Sequence, residues 1–89
     1  MRNWAVGSMQ KEIIFTFYNT NHVIAAVEVL IKGDVPVKVM SIPSAISAGC
    51  GLCLRVMPEN LTRAFEAFAG NQVAVQQVFF TEGGQYTAI

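Results

Sequence analysis

Ile42-Pro-Ser-Ala-Ile-Ser-Ala-Gly-Cys-Gly-Leu-Cys-Leu-Arg55 gathers both cysteines of the chain, two of its glycines, two serines, a proline and an arginine between two runs of strand character. Before it, Val37-Lys-Val-Met-Ser-Ile42 alternates β-branched or apolar with polar residues and stops at Pro43, which has no N–H to give to a sheet. After it, Leu52-Cys-Leu-Arg-Val-Met57 resumes the same period. A short loop between two strands makes this stretch the centre of a ββ unit. What flanks it then decides the fold.

Upstream, Asp34 to Pro36 makes a turn, and Val23, Ile24, Val27, Leu30 and Ile31 fall on one face of a helix. Asn19-Thr20-Asn21 supplies three candidate N-cap side chains, Lys32 suits the negative helix end, and Gly33 suits the left-handed position that closes it. Ahead of that helix, Glu12-Ile-Ile-Phe-Thr-Phe-Tyr18 reads as the first strand, with Ile13, Phe15 and Phe17 on one side and Ile14, Thr16 and Tyr18 on the other. Downstream, Pro58 and Glu59 open a second helix bearing Leu61, Ala64, Phe65 and Phe68 on one face, and Gly70-Asn71 stops it. Gln72 to Phe80 is the fourth strand, and Gly83-Gly84 begins a tail. The order βαββαβ predicts a ferredoxin-like α+β sandwich, two layers with a four-stranded antiparallel sheet. The domain spans 12–81, between an N-terminal extension (1–11) and a C-terminal tail (82–89). Gly7-Ser-Met9 reads either as a cloning remnant or as an upstream start ahead of Met9.

A chain of 89 residues holds one core. Its hydrophobic share of 53% is high and its charged share of 13% is about half the usual quarter, so apolar surface is left over and a partner is expected. Formal charge is balanced, with no cluster of Lys and Arg, which argues against nucleic acid or an anionic membrane as partner. Neither a signal peptide nor a membrane-spanning run is visible, and a soluble, cytoplasmic protein is expected. In the sandwich the helices cover one sheet face. Ile14, Thr16, Tyr18, Met40, Cys53 and Arg55 fall on the other, a semi-apolar set that predicts a homo-oligomer, most simply a dimer, through the open face.

Topology brings the first strand-to-helix turn and the central loop to one end of the sheet, so Thr20, Asn21 and His22 should lie near Ser47, Gly49 and Cys50. The start of a helix presents N–H groups and partial positive charge, which favour a thiolate or a bound anion. Two readings of Cys50 follow: a thiol of lowered pKa, or a small apolar residue filling a turn. Cys53, inside an alternating run, reads as sheet packing. Cys50-Gly-Leu-Cys53 also matches C-x-x-C, but extended residues three apart have Cα atoms roughly 10 Å from each other, past the ~7 Å limit for a disulfide. Two cysteines and one distant histidine fall short of a tetrahedral metal site unless a dimer supplies the rest. His22 is a polar helix-start residue or a base, and Arg55 an ion-pair partner or an anion contact. No RNA-binding aromatic pattern, phosphate loop, zincin motif or nucleophile elbow is present, and no cofactor motif accompanies them.

Tyr18-Asn-Thr-Asn-His-Val-Ile24 with Pro43-Ser-Ala-Ile-Ser-Ala-Gly-Cys-Gly-Leu-Cys-Leu-Arg55 resembles the selenium/sulfur carrier protein-like family, a domain of unknown function. The family pattern, a Ser/Thr-His helix start followed by Pro-x-x-Ile-Ser-x-x-Cys-Gly-x-x-x-Arg, falls on Thr20, His22, Pro43, Ile46, Ser47, Cys50, Gly51 and Arg55. Ser44 stands where the family often has Arg, and Cys53 where it often has a small residue. The resemblance implies a carrier or binding module rather than a stand-alone enzyme. Cys50 would be the carrier thiol, holding sulfur or selenium as a persulfide-type adduct, with Thr20, His22, Ser47, Gly51 and Arg55 in support. Donor and acceptor proteins would load and unload it. The alternative is a non-catalytic ligand-binding or dimerisation module in which Cys50 fills the turn.

Overall fold

The computed structural model describes residues 11–43, 46, 51–82 and 85–89. Its elements are β1 (Lys11–Thr16), α1 (Thr20–Lys32), β2 (Lys38–Ser41), β3 (Leu52–Val56), a 3₁₀ turn (Pro58–Asn60) leading into α2 (Leu61–Gly70), β4 (Gln77–Glu82) and β5 (Gln85–Ala88). The sheet is five-stranded in the order β2-β3-β1-β4-β5, and every neighbouring pair is antiparallel. An α+β chain with two helices is thus confirmed, and the four-stranded sheet is corrected to five. The extra strand comes from the segment read as a tail. The pairing Glu82↔Gln85 leaves two positions, Gly83 and Gly84, between β4 and β5. Gly-Gly between alternating residues is itself a hairpin signal, and the segment after it is a strand rather than a tail.

Alternation along β1 divides the sheet into two faces. On the inner face, Ile13, Phe15 and Phe17 join Leu54 and Val56 beneath Val23, Ala26 and Leu30 of α1 and Ala64 and Phe68 of α2. The aromatic rings meet edge to face, Phe15 and Phe68 at 5.1 Å between centroids and Phe17 and Phe68 at 6.2 Å, the geometry that ring quadrupoles favour. Helix α1 turns differently from its predicted face. Val23, Ala26 and Leu30 are its buried line, while Ile24 and Ile31 are 53% and 62% exposed. With Ala26 at the centre of the buried line, Ile24 and Ile31 fall on the flank of the helix.

Both helices end in a Schellman closure, in which the two amides beyond the helix turn back to the last carbonyls. In α1, Val35 N donates to Leu30 O at 2.9 Å and Asp34 N to Ile31 O at 3.1 Å. In α2, Val73 N donates to Phe68 O at 3.0 Å and Gln72 N to Ala69 O at 3.4 Å. The left-handed residues are therefore Asp34 (φ 59°) and Gln72 (φ 57°), not Gly33, whose φ is −88°. The fourth strand begins at Gln77 rather than Gln72 for the same reason: the closure consumes the first residues after α2. Val73 and Val75 then pack against the core as coil, and Gln76 N reaches Thr16 O at 2.8 Å.

The outer face was expected to stand open. The register does place Ile14, Thr16, Met40, Cys53 and Arg55 together there. Its centre is nevertheless closed: Ile14, Thr16 and Cys53 are at most 1% exposed. Ile46, from the loop between β2 and β3, is buried against Ile14 and Cys53, and Met40, Ile42, Phe79 and Tyr86 pack around them. Tyr18 lies beyond the end of β1 and is exposed. Among the described residues, no helix is long and apolar enough to cross a membrane.

Candidate functional site

The site begins with where β2 and β3 part. Ser41 lies opposite Leu52, and Ile42 N donates to Gly51 O at 3.0 Å, closing the base of the loop. On the other side of β3, Cys53 lies opposite Thr16, the last residue of β1. The loop and the turn into α1 therefore leave the sheet from the same end. Gly51 has φ 76°, a left-handed backbone that a side chain would strain, so the chain re-enters β3 through the residue best able to make that bend.

Asn19 caps α1 at this end. Its Oδ1 accepts from His22 N at 3.0 Å, and its carbonyl accepts from Val23 N at 3.3 Å. Of the three candidate caps, Asn19 takes the position, leaving Thr20 and Asn21 exposed in the first turn. A capped start still presents first-turn N–H groups along the axis, with the positive end of the helix dipole behind them. His22 lies against Tyr18, ring edge to face at 6.3 Å. Its Nδ1 is buried and has no hydrogen-bond partner among the described residues. Leaving such an atom unpaired costs about 1–3 kcal/mol.

At this end of the sheet, Thr16 Oγ1 donates to Gln76 Oε1 at 3.4 Å and Cys53 Sγ donates to Ser41 O at 3.8 Å. Cys53 is fully buried, as a sheet-packing residue should be. Cys50 and Ser47 lie outside the described residues, as do Ser44 and Gly49. Gly51, next to Cys50 in the chain, anchors the loop's return.

Of the predicted set, Thr20, His22 and Gly51 come to one end of the sheet. Arg55 does not. It lies four positions along β3 from Gly51, about 13 Å in an extended strand, and its Nε is 3.1 Å from Glu12 Oε2. An open groove lined by Pro36, Val37, Lys38, Arg55 and Met57 lies around it, away from the loop. Sequence reasoning missed Glu12 as the partner of Arg55. The antiparallel register of β1 on β3, with Ile14 opposite Arg55, holds that information once the pairing is known. Among the described residues, no group of three His, Cys, Asp or Glu side chains comes together to hold a metal.

The molecule is thus a small α+β domain in which the strands flanking the cysteine-bearing segment and the capped start of α1 share one end of the sheet. Residues 12–79 match the model of the family described as "Putative Se/S carrier protein-like", and the chain belongs to that family. No curated protein and no solved structure matches it.

Proposed function

We propose that the protein carries sulfur or selenium on Cys50. The family match over 12–79 is the observation that carries this reading. The shared end of the loop and the α1 start supports it, because helix N–H groups and dipole favour a thiolate over a thiol. In the loading step the Cys50 thiolate attacks the outer sulfur of a donor persulfide, R–S–SH. The donor S–S bond breaks, R–S⁻ leaves, and the transferred sulfur, with its proton, is joined to Cys50 by a new S–S bond. No external oxidant is needed, and an acceptor thiolate reverses the step. Thr20 and His22 stand at the anion end, while Arg55 is engaged by Glu12 and serves the sheet. We further read the fold as a ferredoxin-like sandwich extended by β5, the location as the cytoplasm, and the rim of the outer face as a self-association surface.

The test is incubation with cysteine persulfide, followed by intact-mass analysis and peptide assignment. Cys50 is expected to gain one sulfur atom that dithiothreitol removes, while Cys50→Ser gains none and keeps the fold. Alkylation of Cys50 should show an apparent pKa below the thiol reference of about 8.5. A wild-type protein that takes no sulfur under these conditions, while folding and assembling normally, is a binding or dimerisation module instead.

A further inference from the structure

At the end of the sheet away from the central loop, two cations stand face to face. Lys38, the first residue of β2, is the direct partner of Arg55 on β3, so both side chains leave the same face. Like charges directly across an antiparallel pair destabilise it. Glu12, from β1 on the other side of Arg55, answers one of them, with Oε2 at 3.1 Å from Arg55 Nε. Lys38 has no ion pair among the described residues. The cluster therefore keeps one positive charge in excess. A guanidinium also has five N–H donors in a planar fork, more than a single carboxylate takes up.

The open groove beside this cluster has a volume of about 180 Å³ and is lined by Pro36, Val37, Lys38, Arg55 and Met57. Residues that lead into β2 and out of β3 form its apolar wall, and no carboxylate stands in the lining. That volume is close to the roughly 150 Å³ of a cavity able to hold benzene and below the roughly 300–1,000 Å³ of pockets for larger organic ligands. The Arg55 side chain is 30% exposed, so its charge is partly withdrawn from screening solvent.

We propose that this groove binds a small monocarboxylate with a compact apolar body, its carboxylate between Lys38 and Arg55 and its body against Pro36, Val37 and Met57. One negative charge matches the one positive charge in excess. The apolar wall gives the body a place that an inorganic anion cannot use. A free small molecule suits the groove better than an added peptide strand, because Lys38 on the β2 edge discourages strand pairing. The inference does not depend on the carrier reading of Cys50, and its test involves no sulfur chemistry.

The experiment titrates the isotope-labelled full chain with benzoate at constant ionic strength and follows backbone amides by NMR, beside benzamide, acetate and inorganic phosphate. Benzoate is expected to give saturable shifts at Val37, Lys38, Arg55 and Met57, with a Kd of roughly 1–10 mM because so small a ligand in an open groove makes few contacts. Benzamide keeps the ring without the charge, and acetate and phosphate keep charge without the ring; each should bind about tenfold more weakly or worse. Lys38→Gln, at an exposed position where the fold does not depend on it, should weaken benzoate about tenfold, the loss of one charge-assisted contact. Arg55→Lys leaves Glu12 a cation but removes the planar fork, and should weaken benzoate similarly. Equal binding of benzoate and benzamide, or of benzoate and acetate, overturns the proposal, as does a benzoate affinity unchanged by Lys38→Gln. Absence of saturable shifts in the wild type overturns it too. If the groove amides instead shift with protein concentration alone, and Lys38→Gln abolishes that shift, the occupant is a carboxylate of a second copy and the small-molecule proposal falls.

Discussion

Gln72 holds a backbone conformation that its own side chain opposes. The closure of α2 needs a left-handed residue there, φ 57°, and any residue with a Cβ pays about 1 kcal/mol or more for it. Gln72→Gly should therefore raise stability by about 1 kcal/mol, seen as a higher urea midpoint at unchanged slope. An unchanged or lower midpoint would mean that the turn relaxes around glutamine. Asp34, at φ 59°, should gain less from the same exchange, because a short polar side chain tolerates this region. Glycines stand nearby but not in place: a Cβ built on Gly70 meets nothing within 4 Å, and Gly70 is helical. Reading glycine as the helix-ending residue thus finds each end and misassigns the bend. Which residue turns left-handed depends on where Val35 and Val73 settle on the core, since each is the amide that closes onto the third-last helical carbonyl. That is decided by tertiary packing, to which a local pattern is blind.

At the scale of elements, α1 is fastened at both ends by side chains, one of which, Asn19, is a cap candidate the sequence displays plainly. Asn19 accepts from His22 N at its start, and Arg63 of α2 donates to Gly33 O at 3.0 Å and Asp34 O at 3.2 Å at its finish. Asn19→Ala should cost about 1 kcal/mol of stability by chemical denaturation. A loss within error would mean that Thr20 or Asn21 takes over the cap. That this helix start and the β2–β3 connection leave the sheet from the same end was legible because topology alone requires it: antiparallel β1 and β3 place Thr16 and Cys53 side by side. The place of Arg55 was not legible. Its distance from the loop depends on where β3 begins, and its partner Glu12 belongs to a distant strand. Nor was the closing of the outer face by Ile46, because a residue inside a loop carries no period from which burial can be read.

The whole molecule must also dispose of its sheet edges, and β5 is how it disposes of one. Without β5, β4 would be an edge strand carrying Val78, Phe79 and Phe80, a run of high strand propensity with unpaired backbone on one side. Such an edge invites pairing with another chain. Gln85–Ala88 replaces it with a shorter and more polar strand, and Tyr86 lies over the outer-face cluster of Ile14 and Cys53. The opposite edge, β2, is four residues long and carries Lys38 and Ser41, features that discourage extension. Ending the chain at Glu82 should therefore do more than lower the melting temperature. It should produce larger species whose population grows with protein concentration, visible by sedimentation velocity beside the full chain. If the truncated protein sediments as the full chain does and melts at the same temperature, β5 neither covers the cluster nor guards the edge. The self-association proposed for the outer-face rim would then lose its ground, and the exposed side of α1, where Ile24 and Ile31 stand clear of the core, would be the apolar surface left to test.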